Sequence, residues 1–352
     1  SINGGTPLVL IDGAEGNINM INPSDIENIS VLKDGTAAIY GARASDGVIL
    51  VTTKSGKRNL KTSVAFDAYY SIKTPALLRK PANLLQHAEM ALEITDGSFT
   101  PEYTRDQLDL IRQNSDLVLT DAEWGRWTGY PQFFKDQDWN DMLIGNGNMQ
   151  NYNVNISGGG ERYSYMLSLG HQREEGIPKF GEDVNKRYFV RAKSSVEIFK
   201  NLTYDLNLAY EASNRDYSSG LTEGQNIWEL IYKTRSWTPM YNPSGTFYTF
   251  EGFDNPAQVL EEGGMVNKTT GNITVNNQLR WKVIDGLQLV GQAVIRKYDQ
   301  DENVTNKKTI GIITRSGRNV RRIARSVVTR KLYPRTSLSM LIIKRISMTD
   351  MI

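Results

Sequence analysis

The 352-residue chain has no cysteine, which excludes disulfide frameworks and cysteine-held metals, and its two histidines, His87 and His171, lie far apart with no ligand spacing around either. Its hydrophobic residues, 39% of the total, are spread so evenly that no stretch approaches about 18 consecutive apolar positions, and a transmembrane helix is excluded. The formal charge of +2 conceals a break: residues 311–352 hold ten Lys or Arg and one acid, Asp350, leaving 31 basic against 38 acidic groups in the first 310 residues. An acidic body suits no phosphate backbone, so no nucleic acid is expected as a partner.

In chain order, Leu8 to Ile11 is a short apolar run that stops at Asp12-Gly13, a strand followed by a turn. Asn22 is placed to cap a one-turn helix with Pro23 at its first position and Asp25 near its free N–H groups. Ile29 and Val31 then alternate with polar neighbours as a strand, and Asp34 is placed to cap a second short helix through Ala37, Ala38 and Tyr40 that ends at Gly41. Past Arg43, Asp46-Gly47 turns the chain into Val48–Val51, whose β-branched, two-sided apolar character predicts a strand buried on both faces.

The succession LVLIDG, INPSDIENISVLKDGTAAIYGARASDGVILVTTKSG resembles the second half of the plug domain of the SusC/RagA-type TonB-dependent outer-membrane receptors. The residues that carry the likeness are Asp12, Gly13, Asn22, Pro23, Asp34, Tyr40, Gly41, Arg43, Asp46 and Gly47. The resemblance implies a plug over residues 1–58, followed by β-barrel material. The chain opens Ser-Ile-Asn-Gly-Gly without a charged-then-apolar leader, so the export signal, coupling segment and first half of the plug are expected upstream.

After Lys57 the period becomes two. Val64, Phe66, Ala68, Tyr70 and Ile72 share one face, and the same alternation recurs around Tyr152–Ile156, Tyr163–Leu169, Arg187–Glu197, Tyr204–Tyr210, Ile273–Val283 and Leu287–Ile295, which makes seven strands. One face carries Tyr, Leu, Val and Ile and the other Asp, Asn, Arg, Lys and Glu, a contrast that suits lipid outside and a wet lumen inside. A soluble β-sandwich shows the same period, so the connections decide. Gly158–Glu161, Phe199–Asn201 and Ile284–Gly286 are short, whereas about 73–148, 173–185 and 214–270 are long, the alternation of an outer-membrane barrel. Asp136 to Asp216 is similar to the barrel strands of the same receptors, and Thr238–Gly245 with Asp254-Asn255-Pro256 to one of their extracellular loops. The fold class is a small α/β plug plus a partial antiparallel transmembrane β-barrel, about seven strands of roughly 22, over residues 59–300.

Other motifs read as structure. Gly158-Gly159-Gly160 lacks a following Lys-Ser/Thr and reads as a turn. Glu174-Glu175 and Glu261-Glu262 are adjacent pairs whose side chains point apart, which reads as solvated loop charge and not as a glycosidase acid pair. Leu84, Leu85, Ala88, Ala91 and Leu92 share a helical face, and Thr104 with Gln107 forms a capping box before Leu108 and Ile111. The third loop carries Trp228, Tyr232, Trp237, Tyr241, Phe247, Tyr248, Phe250 and Phe253, a density that suits stacking on sugar rings or gripping a peptide, with loop packing or contact with a partner as the alternative.

The resemblance implies a nutrient importer of the cell outer membrane, not an enzyme and without cofactor or metal. A TonB-type energy-coupling protein would pull its plug, a SusD-like surface lipoprotein would cover it, outer-membrane lipid would surround it, and its cargo would be a glycan or an oligopeptide. The alternative is a surface glycan-binding β protein or a glycan hydrolase. Residues 301–352 are expected to be a polar loop over 298–308 and then an aberrant basic tail without the family's strand pairing, because Arg falls on both faces of any strand drawn there. A shift of reading frame accounts for the lost period, the charge break and the early stop together, and an evolved basic tail is the alternative.

Overall fold

The structure is a computed structural model. It describes residues 6–33, 36–76, 82–95, 103–113, 122–123, 125–127, 137–221, 227–249 and 254–307, together with five short strands between 313 and 348.

The first unit is a sheet of β1 (Leu8–Ile11), β2 (Ala14–Glu15), β3 (Ile26–Leu32) and β4 (Val48–Thr53) in the order β2-β1-β4-β3. β4 lies between β1, its parallel neighbour, and β3, its antiparallel one, which is why its sequence is apolar on both sides: Val48 and Val51 are buried. Asp12 and Gly13 turn the chain from β1 into β2 with φ of 48° and 79°, and Gly41 and Gly47 take φ of 78° and 95°, where a Cβ would strain the backbone. Asn22 caps a 3-10 turn, Pro23–Asp25, as its sequence predicts. In place of a single second helix there are two 3-10 turns, Ala38–Tyr40 and Ala42–Ala44, and Asp34, the expected cap, lies outside the described residues.

Residues 54–62 link this unit to a wall of seven long strands. They are β5 (Ser63–Lys73) and, beyond a small ribbon of β6 (Ala122–Glu123) and β7 (Arg126–Trp127), β8 (Gly147–Gly159), β9 (Tyr163–Glu175), β10 (Asp183–Phe199), β11 (Leu202–Ser218), β12 (Gly264–Ile284) and β13 (Leu287–Lys307). Each pairs antiparallel with the next in the order β5-β8-β9-β10-β11-β12-β13. Turns at 160–162, 200–201 and 285–286 close one end, and the connections 74–146, 176–182 and 219–263 lie at the other. The long connections are shorter than the sequence predicts because the strands run on. β13 continues through Lys307, so the expected polar loop at 298–308 is corrected: a ladder with β12 that keeps one register from Gln288 opposite Lys282 to Asn306 opposite Gly264 satisfies the backbone whatever the side chains are.

The two faces of the wall are inverted relative to a soluble sheet. On the convex face Val64 is 67% and Phe66 64% exposed, and Tyr152, Leu169, Tyr188, Tyr210, Leu279, Trp281 and Ile295 are exposed with them. On the concave face Asn151, Asn153, Ser164, Ser168, Arg191, Glu211, Asn276 and Gln292 are buried, because the plug sheet packs against them. On the outward face Tyr204 donates its hydroxyl to Asn277 Oδ1 at 2.6 Å.

On the long-connection side, α1 (Leu84–Thr95) and α2 (Arg105–Arg112) pack into one core with Tyr103 and Trp237, and the Thr104–Gln107 capping box is formed. α3 (Trp139–Leu143), α4 (Ile227–Lys233) and α5 (Pro256–Glu262) share a second core around Met240 and Leu260.

Beyond Lys307 the stretch expected to lack the family's strand pairing makes short ladders. β14 (Ile313–Arg315) and β15 (Arg318–Val320) form a hairpin, and β16 (Arg325–Arg330), β17 (Arg335–Ser339) and β18 (Ser347–Met348) pair with successive stretches of β13. An open edge offers backbone donors and acceptors to any chain that reaches it. The register slips by one residue between β16 and β17 and by two before β18, so they form a broken edge and not one continuous strand.

Candidate functional site

The plug meets the wall through charged and amide side chains. At the end of β1, Asp12 accepts from the Thr53 backbone N–H at 2.9 Å and the Thr53 hydroxyl at 2.6 Å, which fixes its carboxylate in place within the plug. From the wall, Asn207 Nδ2 reaches Asp12 Oδ2 at 2.7 Å, Lys193 Nζ at 3.0 Å and Arg191 Nη1 at 3.8 Å. Arg191 Nε also lies 3.2 Å from Asp25 Oδ2, and Ser168 donates its hydroxyl to Asp25. The sequence predicts that the Asp25 carboxylate serves the N–H groups of its own helical turn. It is instead spent on Ser168 and Arg191, because a buried carboxylate needs a countercharge more than a three-residue turn needs a dipole partner.

Asn22 joins the two units with one side chain. Its Oδ1 accepts from Ser24 N at 3.1 Å, capping the turn, while Nδ2 donates to Asn153 Oδ1 on β8 at 2.9 Å. Gly170 on β9 makes room for it, since a Cβ there would lie 2.3 Å from Asn22 Nδ2. Lys193 donates to Thr53 O at 2.9 Å, Asn276 to Asp12 O at 3.2 Å and Arg187 to Asn19 O. Beside these contacts is a cavity of about 360 Å³ between the plug loop at Glu15–Met20 and the wall, into which Arg191, Asn272, Arg296 and Tyr298 face.

Of the other plug residues singled out in the sequence, Pro23 starts the capped turn, Tyr40 packs on the plug core, and Asp46 precedes the Gly47 turn. Arg43 makes an exposed bidentate pair with Glu15 at 2.7 and 2.9 Å. The loop aromatics divide. Trp237 and Tyr248 are buried, Trp237 tilted at 40° against His87 with ring centres 4.5 Å apart and under the Arg235 guanidinium. Tyr241, on Phe247 at 5.2 Å, and Trp228 and Tyr232, one helical turn apart on α4, are exposed; Phe250 and Phe253 lie outside the described residues.

The paired glutamates are not free loop charges. Glu174 pairs with Lys73, and Glu175 with Arg173 at 2.6 Å. At the strand end, hydrogen bonds from Asn148 and then Arg173 hold the Glu175 carboxyl below the usual range, the wrong direction for a general acid at neutral pH. Glu261 accepts from Gly181 N and Glu262 from Gln258, both at 2.8 Å. Arg191, Lys193, Asn153, Ser168 and Gly170 escape a reading of the sequence as site residues. Their only signal is a polar strand face, which names a lumen but not the partner that fills it.

A small α/β plug pinned by buried charges to the polar face of an outward-apolar antiparallel wall defines the class of plugged outer-membrane barrels. The family model described as TonB-dependent Receptor Plug Domain matches residues 1–48. TonB-dependent receptor P26 of Formosa agariphila is 30% identical over 255 residues, 70% of this chain and 22% of that protein. TonB-dependent receptor SusC of Bacteroides thetaiotaomicron is 28% identical over 232 residues, 62% of this chain and 20% of that protein. The solved structure of the RagAB peptide importer in its closed-closed state has the same fold, with a TM-score of 0.67 at 22% identity over 85% of this chain and 35% of that one. Together these matches support a fragment of a SusC/RagA-type TonB-dependent receptor, with plug sequence and a partial barrel. It spans about a fifth of the length of the curated relatives it matches.

Proposed function

We propose that this chain is the plug and adjoining wall of an outer-membrane nutrient importer that binds and passes its ligand without chemical change. The observation that carries the reading is the inverted wall: apolar side chains stand exposed on the convex face, while Asn153, Ser168 and Arg191 are buried against the plug. A TonB-type protein would supply the pull on the plug. A SusD-like lipoprotein would close the outer side over α1–α5, where the long connections lie. The cargo would be a glycan or an oligopeptide, and the exposed Trp228, Tyr232 and Tyr241 offer faces for either.

The test uses the receptor that carries this segment. Its release from outer membranes should require detergent, and deleting it should abolish growth on one glycan or peptide source while the source stays intact outside the cell. Release by salt alone, or cleavage of glycan by the purified protein, overturns the importer in favour of a surface glycan-binding protein or hydrolase.

A further inference from the structure

Among the described residues, five inward-facing bases of the wall pair with acids of the wall itself. Lys73 pairs with Glu174, Arg187 with Glu211, Arg215 with Asp183, Lys268 with Glu302 and Arg280 with Asp205, each a wall base against a wall acid. Those pairs stay neutral wherever the plug goes. Arg191 and Lys193 instead find their carboxylates, Asp25 and Asp12, on the plug. In the reverse sense, Arg58 pairs with Glu197, but Arg58 sits in the linker five residues before β5 and stays beside the wall.

We propose that Arg191 and Lys193 are a cationic rung of the conduit, masked by Asp25 and Asp12 while the plug is seated and bared when it moves, so that the open path favours cargo bearing carboxylates. This deepens the importer reading and rests on it. When the plug leaves, two positive charges two residues apart on β10 remain on the inner face of the wall, and charge of one sign concentrates counter-ions. Asn207 Oδ1 at 3.4 Å stays with Arg191 but cannot neutralise it. Arg296 faces the same plug-side cavity as Arg191 and extends the positive surface. The departing plug carries Asp12 and Asp25 with it, so the rung also draws the plug back.

The experiment reconstitutes the whole receptor in planar bilayers. Asp12→Asn/Asp25→Asn leaves two buried cations unpaired, which should unseat the plug and open an ion leak. Under a potassium chloride gradient, and again under a potassium glucuronate gradient, the reversal potential of that leak should shift toward cation preference when Arg191→Gln and Lys193→Gln are added. Equal reversal potentials with and without the two cations overturn the inference, and so does an acid variant as ion-tight as the wild type. If that variant fails to assemble, Arg191→Gln/Lys193→Gln alone is compared with wild type after the plug is released by urea, and the same shift decides. No conductance from any variant, even with the plug unfolded, overturns the importer reading itself and this inference with it.

Discussion

Asn22 shows how much one side chain does at this interface, because its two amide atoms serve different units: Oδ1 caps a turn of the plug and Nδ2 docks on Asn153 of the wall. Asn22→Ala should lose the cap, about 1 kcal/mol, and leave Asn153 short of a partner in a buried place, about 1–3 kcal/mol more. In the intact receptor this should appear as faster protease cleavage of the plug with the barrel unaffected; equal cleavage removes Asn22 from the docking. Gly170→Ala reaches the same contact from the other side, since its Cβ must push the amide away, and should give the same phenotype with Asn22 in place. The cap was legible in the sequence because capping is local. The docking was not, because Asn22 and Asn153 stand 131 positions apart and only the insertion of the plug brings them together.

At the scale of elements, period-two alternation and turn residues were enough to place all seven strands, since both are set by neighbours in sequence. Strand length was not legible. Above the apolar band the side chains of β11–β13 turn polar on both faces, and only the ladder shows that the strands continue. At the usual rise of about 3.3 Å per residue, a strand of 21 residues runs about 70 Å, far more than the 9–11 residues that cross a bilayer, so β12 and β13 stand well beyond it. The facing of the band is testable with neighbouring strands. Leu206→Arg puts a charge on the convex face and should cost roughly 2–4 kcal/mol near the bilayer midplane. Thr274→Arg, which faces the plug-side cavity, should cost much less in the same unfolding assay. Equal costs would remove the membrane reading. The connections divide likewise: Trp237→Ala empties a core shared with Leu84, Tyr103 and Ile111 and should cost about 3–5 kcal/mol of local stability. Trp228→Ala with Tyr241→Ala should leave stability unchanged and weaken cargo binding; unchanged affinity assigns those rings to the lid contact.

The whole molecule is an unclosed surface. A compact monomer of 39.7 kDa exposes about 14,000 Å², whereas this chain exposes 22,417 Å². The convex band, with Val64, Phe66, Tyr152, Leu169 and Trp281 exposed, contributes to the difference, and only hydrocarbon covers that band without penalty. Among the described strands, β5 pairs only with β8, and β13 is met on its far side only by the short β16, β17 and β18, so neither edge is sealed along its length. Open edges and an apolar face are the two conditions for aggregation, and in a bilayer every unpaired backbone group adds its own cost. Residues 1–352 expressed alone should therefore sediment as aggregate without detergent and fail to give an ion-tight or channel-forming species in liposomes. A monodisperse, water-soluble monomer would mean that the convex residues are covered by the chain itself, and the barrel reading would fall. The basic stretch after Lys307 belongs to this question. If the barrel relies on it to cover the β13 edge, deleting residues 313–352 should lower hydrogen-exchange protection of β13 and then of β12. If it merely rests on an open edge, deleting residues 313–352 should leave hydrogen-exchange protection of β12 and β13 unchanged, and translating the other two frames of the gene from about codon 305 should recover an alternating strand.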